Sequence, residues 1–301
     1  MNALLPTAFY FRFSFPVRYQ ADMPAERSRS SGAFQLLALS DDYLLPSVAS
    51  LDGRTDFAQV RAGWNERGLG VTLTVDGKHR PPQVERDRLE LSDALHLWID
   101  TRDARSIHRA TRFCHHFYFL PALQWPSQGR ARSRQATPVR AGQLRINRAR
   151  EDAPHCLPSD LVAFASELIE ASSVSGGASD QRETPATVAR RTKKSNEPGG
   201  RARRRRLSAV RSSDPPSLMV RRSSGVTTDD SALGLPRLRG YLLEAFIPAR
   251  VLTGFDPQEN PRLGFYYHVH DAELGDQFLT VGREFPFAED PSLWSTLELT
   301  K

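Results

Sequence analysis

The sequence predicts an all-β fold: an antiparallel β-sandwich or jelly roll with one short helix and a long disordered insert. Three observations predict it. Apolar residues recur at period two in many short runs, turn residues separate those runs, and only one stretch carries helical spacing. A chain of 301 residues is long enough for one large β-domain with a sizeable core.

Phe9, Phe11, Phe13 and Phe15 alternate with Tyr10, Arg12 and Ser14, which predicts an opening strand. Residues 23–31 are polar and read as loop, and residues 36–39 form a short element ahead of Asp41 and Asp42. A turn at Leu51, Asp52 and Gly53 leads into residues 57–64. The Gly-containing turn after Trp64 then starts a hairpin whose second strand puts Leu69, Val71, Leu73 and Val75 on one face. In residues 92–103, Leu95, Leu97 and Ile99 face one way and His96, Trp98 and Asp100 the other. A second strand follows at 113–120. Residues 124–140 are a polar linker, and 143–148 a short strand. Ser159 and Asp160 precede Leu161, Phe164, Ala165 and Leu168, the pattern of a capped short helix. Runs at 240–248, 263–270, 277–281 and 292–299 supply the remaining strands.

The formal charge of +6 is unevenly placed. Residues 171–232 carry 13 Lys and Arg against 6 Asp and Glu, leaving the rest of the chain at −1. That segment has no Phe, Tyr or Trp and is rich in Ser, Gly, Pro and Arg, so it cannot bury enough apolar surface to offset its chain entropy. We therefore expect one sandwich domain from 1–170 and 233–301, interrupted by a disordered insert at 171–232. The run Arg201–Ala202–Arg203–Arg204–Arg205–Arg206 lacks interleaved aromatics, so any nucleic-acid binding is non-specific and electrostatic. Cys114 and Cys156 form neither a disulfide framework nor a metal-ligand spacing and read as plain thiols. Arg12 and Pro16 interrupt the N-terminal apolar residues, leaving no leader peptide, and no run reaches membrane-spanning length; the expectation is a cytoplasmic protein with no membrane partner.

Several of these runs together resemble the family 9 carbohydrate-binding modules and their uncharacterised bacterial relatives. The resemblance is carried by the Trp64 hairpin, Ser92–Asp93–Ala94–Leu95–His96–Leu97–Trp98–Ile99–Asp100, Tyr241–Leu242–Leu243–Glu244–Ala245–Phe246–Ile247–Pro248, Leu263–Gly264–Phe265 and the terminal Trp294 strand. Ile99–Asp100–Thr101–Arg102–Asp103, His108–Arg109–Ala110–Thr111–Arg112–Phe113–Cys114–His115 and Asp290–Pro291–Ser292–Leu293–Trp294 resemble the uncharacterised relatives more closely. The resemblance implies a sandwich that binds sugars on aromatic platforms, commonly with structural calcium. This chain departs from the family pattern at His96, where the sugar-binding modules usually have an acidic residue.

The expected ligand face is Trp98 as stacking platform, with His96, Asp100, Arg102 and Arg112 as polar contacts and Tyr118 in support. The alternatives are that other elements cover Trp98 and that the arginines pair internally with Asp100, Asp103 or Glu244. His268 and His270 share one strand face and, with Asp271, Glu273 and the His115–His116 pair, are candidates for a metal site. Acidic groups at Asp41–Asp42, Asp271–Glu273 and Glu289–Asp290 offer oxygen to calcium but lack a dedicated loop spacing. No nucleophile elbow, phosphate loop or metalloprotease helix is present. The leading expectation is non-catalytic recognition of a saccharide or other polar or acidic ligand, without a cofactor unless calcium. The alternatives are a structural or protein-interaction sandwich and a metal-dependent enzyme around His268 and His270.

Overall fold

The computed structural model describes residues 5–25, 36–85, 88–121, 141–154, 162–170 and 238–301. The expectations for the insert at 171–232, for the linker at 124–140 and for Cys156 lie outside the described residues. All described strands belong to one compact unit bounded by Met1–Ala171 and Gly234–Lys301. Among the described residues no helix is long and apolar enough to cross a membrane.

The fold is an all-β sandwich of two sheets. The larger contains β1 (Ser14–Arg18), β4 (Ala94–Asp100), β5 (Cys114–Phe119), β6 (Ala141–Leu144), β9 (Arg262–Asp271), β10 (Gly275–Phe278) and β11 (Ser295–Thr300). Its order is β1-β11-β9-β4-β5-β6, with β10 also paired to β9. The smaller sheet runs β2-β3-β8-β7, from β2 (Ala58–Asn65), β3 (Gly68–Asp76), β8 (Leu238–Pro248) and β7 (Ala163–Glu170). Every pairing is antiparallel except β1 with β11, which is parallel.

Alternation explains the core. Leu95, Leu97 and Ile99 of β4 and Phe265, Tyr267 and Val269 of β9 are buried, as are Leu69, Val71, Leu73 and Val75 of β3. On β8, Tyr241, Leu243, Ala245 and Ile247 pair with those β3 residues in register. These faces meet in one apolar cluster, the dominant stabilising contribution of such a fold. Trp64 closes one end of it, its indole N–H donating to the carbonyls of Val17 at 3.0 Å and Thr300 at 3.2 Å.

Two expected elements differ. The helix expected after Ser159 is instead the edge strand β7, paired along β8. Leu168 joins the main core, whereas Ala165 lies in a second cluster with Met23, Leu36, Leu37, Leu39 and Phe246. Burial on both faces of a strand places apolar residues at three- and four-residue intervals, which mimics a helix. The opening strand is shorter than expected: Thr7–Tyr10 is a 3-10 turn and β1 starts at Ser14.

The smaller sheet's outer face is covered by a strap at 36–39. The Glu244 carboxylate accepts from the amides of Leu36 (2.7 Å) and Leu37 (3.2 Å). Burial raises the Glu244 pKa, and these amides work against that rise.

Candidate functional site

The outer face of the larger sheet carries the chemistry. Period two puts His96 and Trp98 of β4 on it, and register aligns His116 and Tyr118 of β5 and Tyr266, His268 and His270 of β9 beside them. A row of histidines results. His96 Nδ1 is 3.0 Å from His116 Nε2, and the His96 ring is near parallel to that of His268, centroids 5.8 Å apart.

Trp98 is not an exposed platform. It is 2% exposed. The connection from β10 to β11 crosses this face and sets Phe287 edge-on to the indole at 5.4 Å and stacked on Tyr266 at 4.6 Å. Hydrogen bonds anchor that connection: Tyr266 Oη donates to the Val281 carbonyl, and Trp294 Nε1 to the Phe287 carbonyl at 2.7 Å. His116 covers the indole at 4.2 Å. Among the described residues Trp98 Nε1 has no hydrogen-bond partner. The ring points outward as expected, and of the two readings open in the sequence the covered one holds.

The other expected contacts do not converge on it. Asp100 is buried, and its carboxylate accepts from the amides of Arg102 (3.0 Å) and Ala104 (2.7 Å), so it caps the turn after β4. Burial raises its pKa. Arg102 and Arg112 are exposed and lie 5.0 and 4.9 Å from the Phe113 ring centroid. Tyr118 is half-buried, and its ring lies where a side chain on Gly142 would stand, 2.8 Å from that glycine's would-be Cβ. Of the six residues, alternation and register put His96, Trp98, Asp100 and Tyr118 on one face, with the Asp100 carboxylate engaged by the turn after β4.

His268 and His270 do converge, but on Asp276 rather than on Asp271 or Glu273. His268 Nε2 is 2.7 Å and His270 Nδ1 2.9 Å from Asp276 Oδ1, and Arg283 Nη2 donates to the same oxygen at 2.9 Å. Burial works to raise the Asp276 pKa, but donors from His268, Arg283 and His270 outweigh it and hold the carboxyl well below the usual range. Burial lowers the His268 pKa against the pull of Asp276. It lowers that of His96 too, with His116, His268, His270 and Arg283 adding to the effect. The His116 pKa falls to about 3, through burial and then His268.

Asp271 serves elsewhere. Lys78 Nζ sits 2.7 Å from both Asp271 oxygens and 3.0 Å from Asp93, all three residues being buried. Burial opposes the Lys78 charge, yet the hydrogen bonds to Asp271 and Asp93 raise its pKa overall. An ammonium thus meets Asp271, one of the three acidic groups considered for calcium. Glu273 accepts from the His79 and Arg80 amides. His115 points away from the row, its Nε2 accepting from Thr253 N at 3.1 Å and its Nδ1 lying 2.8 Å from the Gln143 amide.

Sequence reasoning missed Asp276, although a signal existed. The hairpin turn at Gly275 (φ +98°) fixes the register that sets Asp276 opposite His270 and Phe278 opposite His268. Beside this pair a cleft of about 350 Å³ opens, lined by Gly53, Arg54, Thr55, Asp56, Asp276 and Phe278 among others.

Two groups that carry nucleophile chemistry are not set up for it. Cys114 is buried, which pushes its thiol up to about 12, with Asp100 adding to the rise. His108, Asp290 and Ser292 meet, but the carboxylate (3.0 Å) and the hydroxyl (3.1 Å) both face Nδ1. A relay needs the orienting acid on one ring nitrogen and the nucleophile on the other. This trio instead ties the loop after β4 to the turn before β11.

No family model matches the chain, and no curated protein matches it. Two solved structures are similar to it: a family 9 carbohydrate-binding module from Caldicellulosiruptor kristjanssonii in complex with cellotriose, and one from the same organism in complex with glucose. Each is 11% identical. The first covers 96% of this chain and 94% of its own at a TM-score of 0.44; the second covers 96% of both at 0.46.

Proposed function

We propose that this domain is a non-catalytic recognition module whose ligand is a saccharide or a similarly polar, hydroxyl-rich molecule. The observation that carries the reading is the cleft beside β10. Its volume lies near the lower end of the range for small-molecule sites. Arg54 and Asp56 bring a fixed donor and an acceptor, Asp276 a second carboxylate, and Phe278 an aromatic surface, which together suit hydroxyl groups and the apolar face of a sugar ring. The Arg54 guanidinium is steered by hydrogen bonds to Asp52 and to the Thr280 carbonyl, and Asp276 by its three donors, so these two groups are oriented before a ligand arrives.

A second reading has its own observation. The burial of Trp98 favours a structural or protein-interaction sandwich that takes no small ligand. A glycan array probed with the full chain separates the two. Recognition predicts saccharide binding that Arg54→Ala and Asp56→Ala both abolish. Binding that survives both changes removes the cleft as the site, and an array without any bound glycan favours the scaffold.

A further inference from the structure

We propose that His268, His270 and Asp276 form a binding site for one divalent transition-metal ion of the zinc class, open on its outer side toward the cleft beside β10. The inference stands apart from the recognition reading, because its test reads metal alone.

Geometry carries it. One ligand atom from each residue lies within 4.8 Å of the other two. Zinc with nitrogen and oxygen ligands at roughly 2.0–2.1 Å holds them about 3.3 Å apart in a tetrahedron. The present separations of 2.7 and 2.9 Å to Asp276 Oδ1 need open by about half an ångström, while the two imidazole nitrogens, within 4.8 Å of each other, close onto the ion. Three donors converge on that single oxygen, and a bound ion takes the place of the two imidazole protons and of the guanidinium that meet it there.

The frame is rigid where rigidity matters. His268 and His270 are two apart on β9, which fixes both rings on one face, and β10 sets Asp276 directly across from His270. The His268 ring is held between His96 (5.8 Å, 16° from parallel) and Phe278 (4.6 Å, 12°). His268 is nearly buried, whereas the His270 and Asp276 side chains keep 20% and 27% of their exposure, so an ion has a route in.

The donor set decides the class of ion. Two imidazole nitrogens and one carboxylate oxygen suit zinc, cobalt or iron, whereas calcium requires six to eight oxygens. Each histidine binds as the neutral tautomer, with its proton on the nitrogen away from the metal. Arg283 is the competitor. Its guanidinium occupies Asp276 Oδ1 from a side chain that is 62% exposed, so it can swing into solvent when the metal enters.

The test uses the full chain without an affinity tag, stripped with chelator and titrated with Co²⁺ by visible absorption and with Zn²⁺ by calorimetry. The expected result is one equivalent bound, with the d–d bands of a low-coordinate cobalt centre. His270→Ala and Asp276→Ala should each weaken binding by at least the roughly 10–100-fold that loss of a mere supporting group costs. His108→Ala should leave it unchanged. Arg283→Gln, at an exposed position that does not threaten folding, should tighten it. Binding without d–d bands, binding that persists in the His270→Ala, Asp276→Ala double variant, or an Arg283→Gln protein that binds no more tightly would each overturn the site.

Discussion

The imidazole of His116 lies nearly flat on the indole of Trp98, with ring centroids 4.2 Å apart and planes 14° from parallel. The pair turns a residue type often found at binding surfaces into part of the hydrophobic interior. With Phe287 and Tyr266 on its other sides, Trp98 joins the β10–β11 connection to the sheet. Trp98→Ala should therefore destabilise the domain by about 3–5 kcal/mol, the range for deleting a large buried aromatic. Chemical denaturation reads this directly, and an unchanged midpoint would show that the ring is not part of the packed interior.

Lys78 answers two buried carboxylates at once. Replacing it with Met keeps its length and removes its charge, leaving Asp93 and Asp271 facing each other without a counter-ion. The expected loss is about 3–5 kcal/mol, as for breaking other buried ion pairs. Asp93→Asn with Lys78 intact should cost less, because one carboxylate still meets the ammonium. Equal losses in the two variants would show that the charge balance argued here is wrong.

His115 should make the fold sensitive to mild acid. Burial lowers its pKa to about 4 in the folded state, against about 6.5 when unfolded. Between these values the unfolded chain binds more protons, so stability rises with pH. The contribution is fully present above about pH 6.5 and is lost as pH falls toward 4, at about 1.4 kcal/mol per pH unit for this one group. Denaturation midpoints measured from pH 7 to pH 4.5 should fall less steeply in His115→Leu than in the wild type. Parallel slopes would exclude the assignment.

Glu244 holds the 36–39 strap by two amides, so its removal should be felt locally. Glu244→Leu orphans both N–H groups, each costing about 1–3 kcal/mol if it stays buried. Hydrogen exchange at Leu36 and Leu37 should accelerate far more than at β3, whose ladder does not depend on this carboxylate. Uniform acceleration across the sheet would mean the strap and the core open together.

Much of this was legible in the sequence, for a definite reason. Period-two alternation states which residues share a face, and β4, β8 and β9 lie where their alternation puts them. It does not state what covers a face. Alternation turns Trp98 outward, as the structure does, but the cover comes from residues 279–294, far along the chain. For the same reason the spacing in β7 predicts a helix: Ala165 and Leu168 are buried on opposite sides, and one-dimensional spacing does not separate two covered faces from one helical stripe. The histidines were visible as a pair, whereas Asp276 joins them only through hairpin register. Charge alone marks Arg102 and Arg112 as ligand contacts, yet in the fold they flank the Phe113 ring.

The recognition account is tested most directly by mapping amide chemical-shift changes when the full chain is titrated with the best-bound saccharide from the array. The account predicts changes concentrated at residues 53–56 and 276–278, saturating with one ligand per chain. Changes centred on Arg102, Arg112 and Phe113, or none at saturating sugar, would contradict it.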